Sequence, residues 1–424
     1  MAAAGVIVLA WAAVLGRETL PLRAWLALLI AGAFALGWLV VAAATRWAPT
    51  RISPRAYTFV FAVALLGRFV LVGTPHELSD DSARYQWDGR VLVHGINPYR
   101  YAPDDPPLAL LRAQSVTPAV NHPDLHTVYP PLAEGFFALA HLLDRRGLVG
   151  LHVLQALAEL ACAILLARIL AREGLPGARL LLVAWLPLVM LEGYAPGHVD
   201  TLTLPFVVLA LDGIQRRQPL RAGAFLALAA LIKPYPLLMV PAALREFGAR
   251  GSARFLISLG LVAAAAYMPF AGAGHWLFDS MWLMARTWSF NGSVAAWLER
   301  LLPAAQAHLV AGGLMLALVL VVTWWGAGFR ERVLLAVAAF VICTPTLYPW
   351  YLVWAVPLLV LVPDAAVIAI LQLAPLSYLV LIAWQEQGSW TLPGWVPLAE
   401  YVPFYALLAA GAWRRTGMFR KVAT

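Results

Sequence analysis

Two adjacent aspartates, Asp80 and Asp81, follow an apolar segment and open the run DDSARYQWDGR over residues 80–90. If that run is helical, Asp81, Arg84, Tyr85 and Asp88 sit at i, i+3, i+4 and i+7 and share a face. A carboxylate held at a membrane surface can take a proton from an acceptor hydroxyl. Arg84 beside it can hold the carboxylate or bind a phosphate. The competing reading is a solvated acidic loop with surface ion pairs.

Other chemistry-bearing residues are spread along the chain. The turn sequence INPYRYAP, 96–103, places Asn97 and Tyr99 either in a sugar-sized cleft or among interface aromatics. GYAPGHVD, 193–200, is a short connection that sets His198 and Asp200 where two apolar segments meet. Ionisable groups near membrane depth are functional candidates. LIKPYP, 231–236, carries Lys233, the only lysine besides Lys421, next to Tyr235. A lysine in an apolar stretch needs an anion or carbonyls, and a lipid phosphate would serve; snorkelling to the cytoplasmic surface is the alternative. Between 275 and 298, four tryptophans surround Arg286 and Asn291. Arg286 can grip a phosphate or simply belong to an aromatic belt. In TPTLYPWYLVWAVPLL, 344–359, Tyr348, Trp350 and Tyr351 can wall a cleft for an isoprenoid tail or a sugar, or pack as belt residues. His122 and His126 have i, i+4 spacing, but Pro123 argues against a regular helix and no third ligand is evident, so no metal site is expected. The chain has no CxxC pair, Walker loop, GxSxG or GxGxxG motif.

The elements that must position these residues are membrane helices. Of 424 residues, 62% are apolar and 12% charged, and mean hydropathy is +0.77. A span takes about 20 apolar residues. Apolar segments fall at roughly 4–16, 24–44, 56–73, 149–170, 178–194, 199–212, 255–270, 306–326, 333–347, 350–362, 365–384 and 398–413. Such a composition excludes a disordered chain and a disulfide scaffold. The net charge of +8 is dispersed over short arginine groups, which excludes a nucleic-acid binder. Cys162 and Cys343 lie in apolar segments as packing residues. The first apolar stretch begins at once, with no basic flank, and reads as an uncleaved span.

Arginine clusters mark the cytoplasmic side of a membrane. Placing Arg46, Arg51 and Arg55, then Arg168, Arg172 and Arg179, then Arg216, Arg217 and Arg221, then Arg245, Arg250 and Arg254, then Arg330 and Arg332, and finally the tail inside gives twelve crossings with both termini cytoplasmic. The result is one integral-membrane domain, 1–424, with no large soluble domain. Its outer loops are 74–148, 271–305 and 385–397, and a basic tail, 414–424, ends inside. The first loop holds nine of the 22 acids and is expected to bear interfacial helices. Two segments fit badly. Residues 129–143 are too short to span and read as an interfacial or re-entrant helix on the outer side. Residues 222–245, broken by Lys233-Pro234-Tyr235-Pro236, read as two half-helices returning to one side, with a single kinked span as the alternative.

In order along the chain stand Asp80-Asp81, Arg84-Tyr85, Trp87-Asp88-Gly89-Arg90 and Gly95-Ile96-Asn97-Pro98-Tyr99. Then come Tyr129-Pro130-Pro131, Gly197-His198-Val199-Asp200, Lys233-Pro234-Tyr235-Pro236, Phe290-Asn291-Gly292-Ser293 and Pro349-Trp350-Tyr351. This ordered set resembles the polyprenol-phosphate-dependent glycosyltransferases of the GT-C superfamily, above all the bacterial GT87-type mannosyltransferases. The resemblance implies a GT-C-type, all-α polytopic bundle of about twelve helices in the bacterial cytoplasmic membrane, with its active site facing outward. It implies a polyprenyl-phosphate-linked hexose donor, mannose for preference, and a lipid or glycan acceptor among the membrane lipids. No cofactor is required; a divalent cation at Asp80 and Asp81 is a less favoured addition. The base belongs to the first outer loop, where Asp81, four residues before Tyr85, is preferred and Asp80 would orient the acceptor or Arg84. Arg286, Lys233 and His198 are then candidates for the donor phosphate. Arg84, Tyr85, Asp88, Arg90, Asn97, Tyr99, Tyr129, Asp200, Tyr235, Asn291, Tyr348, Trp350 and Tyr351 are candidates for binding donor or acceptor. Transfer would be one inverting displacement with polyprenyl phosphate leaving. The rival reading is a transporter or lipid flippase, whose functional charges would lie deep in the bundle, at Lys233, Glu159 and Glu192.

Overall fold

The computed structural model describes residues 2–16, 20–46, 53–74, 77–114, 120–325 and 328–422. Arg51, residues 423–424 and the side chains from 415 onward in the expected basic tail lie outside the described residues. Each of the twelve apolar segments forms helix. Among the described residues there is no β-sheet, only an isolated bridge from Phe290 and Asn291 to Thr346. Six helical segments are long and apolar enough to cross a membrane: Leu22–Thr45, Val149–Glu173, Gly177–Tyr194, Ala249–Ala273, Ala304–Trp324 and Ala365–Gln387. The chain is therefore an all-α, multi-pass membrane protein.

The other apolar segments are shorter, as in Ala2–Leu15 and Pro349–Leu361. Proline is one cause, since it lacks the N–H that continues a helix. Pro187, Pro236, Pro357 and Pro375 each sit where the helix restarts or tightens into a 3-10 turn. The last helix, Trp395–Val422, runs past the expected span end at 413.

One such break shows how the interior compensates. Pro187 cannot donate to the carbonyl of Val183, and the helix ends at Ala184. Arg68 fills the gap from a neighbouring helix. Its guanidinium donates to Val183 O at 3.2 Å, to Ala184 O at 2.7 Å and to Glu159 Oε2 at 2.5 Å. Both side chains of the ion pair are buried. Removing one partner of a buried pair costs about 3–5 kcal/mol, because the other charge is left uncompensated. Arg68→Met is thus expected to lower the thermal unfolding midpoint sharply in detergent. The double variant Arg68→Met with Glu159→Gln should recover much of that loss. A single variant as stable as the parent would contradict this account of the pair.

The segment around Lys233 forms a helix Pro219–Ala230, a turn, a 3-10 stretch Tyr235–Met239 and a helix Val240–Glu246. Arg217, just before the first helix, reaches Glu246, at the end of the second, at 3.3 Å. The two arms therefore begin and end at the same place, with Lys233 at the apex. The break leaves the Leu231 carbonyl without a helical donor. The N–H groups of Leu132 and Ala133, in the first turn of helix Pro131–Leu143, fill it at 3.0 and 3.1 Å. A carbonyl freed by one helix end thus meets donors orphaned at another.

The first long loop carries helices Asp81–Val93 and Pro131–Leu143 packed face to face. Gly89 makes that approach feasible: a Cβ there would lie 2.2 Å from the Phe137 carbonyl oxygen. Tyr85, Tyr129, Phe137, Leu151, Val199, Leu202 and Ile232 form a small separate core under these helices. That core ties the loop to helix Val149–Glu173, to the 3-10 stretch Val199–Thr203 and to the turn at Lys233.

Candidate active site

Asp81 is the first residue of helix Asp81–Val93, with Asp80 at the N-cap. The Asn121 amide donates to Asp80 Oδ1 at 2.7 Å and reaches Asp81 Oδ1 at 3.5 Å. The hydroxyls of Tyr85 and Tyr129 each stand 3.4 Å from Asp81 Oδ2. Tyr85 is held by stacking on Phe137, with ring centres 4.7 Å apart. Tyr129 is placed from behind by the Tyr99 hydroxyl, which donates to its carbonyl at 2.6 Å. A quarter of the Asp81 side chain remains reachable from a cavity, yet protein surrounds it in most directions. Burial therefore raises its carboxyl above the ordinary aspartate value; Lys233 works against that rise and Asp80 adds to it.

Lys233 faces the same cavity from the apex of the paired half-helices. Its ammonium is 3.8 Å from Asp200 Oδ2, and it lies over the rings of Tyr129 at 5.0 Å and Tyr351 at 5.8 Å. The cavity is about 930 Å3. One wall is a column of stacked rings: Phe290 on Tyr348 at 4.4 Å, Tyr348 on Trp350 at 4.3 Å, and Trp350 on His198 at 3.7 Å. The isolated bridge to Thr346 fixes Phe290 against that column. Met281, Met284, Met315, Trp384 and Trp390 add apolar lining. A carboxylate and an ammonium thus share a mostly apolar, aromatic chamber. That arrangement can take a proton from one group while holding negative charge on another.

The structure brings Asp80, Asp81, Arg84, Tyr129, Lys233, Tyr235, Tyr348, Trp350 and Tyr351 to this one cavity. Tyr85, His198 and Asp200 lie just behind its wall. His198 is fully buried and faces Asp81, so it is not placed to touch a phosphate in the chamber. Arg84 does not hold Asp81 either; it pairs with Asp88, one turn on, at 2.8 Å and donates to the Leu125 carbonyl. Asp88 is thereby consumed as its partner.

Several candidates are not brought to the cavity wall. Arg90 is half a helical turn out of phase with Asp81 and accepts His94 on its carbonyl. Asn97 and Tyr99 are supports: the Asn97 amide donates to the Phe270 carbonyl, and its oxygen accepts from the Tyr99 N–H. Asn291 adopts a φ of 54°, donates to Glu400 at 2.6 Å, and thereby anchors the segment that carries Phe290. Arg286 is exposed and lies over the Trp282 ring of its own helix at 5.7 Å, while Met281 and Met284 of that helix turn inward.

Four residues that sequence reasoning did not place at the site stand around it. Asn121 binds both aspartates. Glu192 and Gln155 bind His198, and Tyr378, which also lines the cavity, binds Glu192. Glu192 carried a signal, an acid in an apolar stretch. Asn121, Gln155 and Tyr378 carried none.

The charges named for a transport role have local partners. Glu159 pairs with Arg68, and Glu192 pairs with His198 and Tyr378. No curated protein matches the chain. The family model for glycosyltransferase family 87 matches residues 127–347. That stretch holds Tyr129, His198, Asp200, Lys233 and Tyr235, and Asp80 and Asp81 precede it. It covers more than half of the 424 residues, and on that ground the chain belongs to glycosyltransferase family 87.

Proposed function

We propose that this glycosyltransferase moves a hexose, mannose in the first instance, from polyprenyl phosphate to a hydroxyl of a lipid or glycan acceptor. The observation that carries the reading is the presence of one carboxylate, Asp81, and one ammonium, Lys233, on a single aromatic and apolar chamber. The acceptor hydroxyl gives its proton to Asp81 and attacks the anomeric carbon. The bond to the phosphate oxygen breaks on the opposite face, so the configuration inverts. Lys233 meets the phosphate charge that grows as polyprenyl phosphate leaves. The Phe290–Tyr348–Trp350 column and the methionines offer surfaces for the sugar face and the isoprenoid chain. The reading uses no cofactor or metal.

The arginine ends support an outward-facing chamber. Helix Val149–Glu173 has Gln155, which binds the His198 carbonyl, near one end and Arg172 at the other. The run Val199–Gln215 goes from Asp200 to Asp212, and the next helix goes from Arg217 and Arg221 to Lys233. At the end away from the chamber, Arg172 and Arg221 meet Asp212, Arg217 and Arg332 meet Glu246, and Arg330 meets Glu173. Arginine-rich ends favour the cytoplasm. On this reading the chamber opens on the extracytoplasmic side of a bacterial cytoplasmic membrane, with both termini inside.

The raised Asp81 carboxyl has a consequence for pH. A base acts only when deprotonated, so transfer should fall with decreasing pH at values above the ordinary aspartate range. Removing the Lys233 charge takes away a lowering influence, and Lys233→Ala should move that fall to higher pH. Asp80→Asn removes a raising influence and should move it lower. A pH profile of transfer in liposomes for the three proteins checks both signs; shifts in one common direction would contradict the assignment.

The donor class is tested with purified protein in liposomes containing total membrane lipids from the source as acceptor. Label should pass to product from polyprenyl-phosphate mannose and not from GDP-mannose. Direct use of the nucleotide sugar would overturn the proposal.

A further inference from the structure

One buried cluster has no part in the steps above. His198 has no solvent exposure. Its Nδ1 lies 2.8 Å from Glu192 Oε2, and its backbone N–H donates to the Glu192 carbonyl at 2.7 Å. Glu192 is equally buried, and the Tyr378 hydroxyl donates to its two carboxylate oxygens at 2.8 and 3.0 Å. Trp350 covers one face of the imidazole, and the Gln155 amide holds the His198 carbonyl at 2.7 Å. The ring is therefore fixed. Its Nε2 is buried, has no hydrogen-bond partner, and faces Asp81 Oδ2 across 3.9 Å.

The shorter contact favours one tautomer: Glu192 Oε2 lies 2.8 Å from Nδ1, and Asp81 Oδ2 lies 3.9 Å from Nε2. A carboxylate only accepts, so Glu192 takes the Tyr378 hydroxyl and the Nδ1–H of His198. The Nε2 lone pair then points at Asp81. We propose that His198 and Glu192 are positioning residues that share the proton Asp81 takes from the acceptor. The inference rests on Asp81 as the base. As the acceptor O–H bond breaks, its electron pair goes to the anomeric carbon and the proton goes to Asp81. Asp81 passes the proton to Nε2, whose lone pair forms the new N–H bond. Asp81 is again a carboxylate, and His198 is an imidazolium between two carboxylates. After product release the proton returns through Asp81 to water in the chamber. The 3.9 Å gap exceeds a hydrogen bond, but proton-transfer pairs are often loose before substrate binds and tighten with it.

The other groups facing the ring act in known directions. Burial first and Lys233 second oppose an imidazolium and hold His198 well below the ordinary imidazole value, and the Asp200 carboxylate lies 3.8 Å from the Lys233 ammonium. The Tyr85 and Tyr129 hydroxyls share the Asp81 oxygen that faces Nε2.

The test is the pH profile of kcat for mannose transfer from polyprenyl-phosphate mannose to total membrane lipids, in liposomes. Glu192→Gln removes the charge that stabilises the imidazolium. Its acid limb should move to lower pH, and kcat should fall about 10- to 100-fold, part of the factor a general base supplies. Its donor KM should stay at the parent value, because Glu192 does not reach the chamber. Tyr378→Phe leaves Glu192 short of a donor and more able to hold a proton on His198, so its acid limb should move to higher pH. Opposite shifts separate proton sharing from general loosening of the site. An unmoved acid limb in Glu192→Gln and His198→Gln, with Asp81→Asn inactive, would overturn the inference and leave the base in place. An active Asp81→Asn would overturn the base and the inference together. A second reading needs no donor: solid-state 15N spectra of imidazole-labelled protein, with His198→Gln to identify the resonance. They should show a protonated Nδ1 and a bare Nε2 at neutral pH. The reverse tautomer would overturn the inference whatever the substrate is.

Discussion

Asp81→Asn is expected to lower transfer by about 10³-fold, within the range a positioned general base contributes. Donor binding should be retained. Asparagine is the same size, and its amide oxygen can still accept from the two tyrosine hydroxyls. It cannot take a proton from an acceptor. The carboxylate also has no substitute in place. Asp80 is exposed at the N-cap, with Asn121 on one of its oxygens, and no hydrogen bond turns it toward Tyr85 or Tyr129. Asp200 is buried behind Lys233 and lies outside the cavity lining. Asp81→Glu should be poor too, since one more methylene moves the carboxylate off its Asn121, Tyr85 and Tyr129 contacts.

Lys233→Ala is the second large effect. It should raise the donor KM about 10- to 100-fold, the range expected for a lost hydrogen bond to a charged group. Turnover at saturating donor should fall less. The structure adds a complication with its own readout. Lys233 is the partner of Asp200, which is buried, and an unpartnered buried carboxylate destabilises the fold. The single variant should therefore unfold at lower temperature. The double variant Lys233→Ala with Asp200→Asn should regain stability without regaining donor affinity. Binding measured on both, beside thermal unfolding, separates the two roles. Donor affinity restored in the stable double variant would show that Lys233 acts only as a counter-ion.

Composition and apolar patterning alone made the membrane architecture legible, because every apolar segment found in the sequence is helical in the structure. Hydropathy did not show where helices stop being α-helical. At the break before Pro187 the Val183 and Ala184 carbonyls are satisfied by Arg68 from a distant helix, and no local pattern records that. The site was legible where residue type was unusual for its surroundings: an aspartate pair at a loop entrance, a lysine in an apolar stretch, a Tyr-Pro-Trp-Tyr run.

It was not legible where the question was which way a side chain turns. Arg84 lies near Asp81 in sequence but spends its charge on Asp88. Arg286 sits on the helix that lines the chamber yet faces outward, because Met281 and Met284 take the inward positions. His198 looked like a phosphate ligand and instead lies buried behind Asp81. Tyr99, Asn97 and Asn291 resemble site residues because they hold site residues in place. Glu192 and Tyr378 are 186 residues apart, and only the fold makes them neighbours of one imidazole.

The most direct test compares wild type, Asp80→Asn and Asp81→Asn in liposomes with total membrane lipids. Binding of polyprenyl-phosphate mannose and appearance of labelled product are followed in the same samples. The account predicts product from wild type and Asp80→Asn, about 10³-fold less from Asp81→Asn, and donor bound by all three. Product from Asp81→Asn at the wild-type rate, or loss of donor binding in that variant alone, would contradict it.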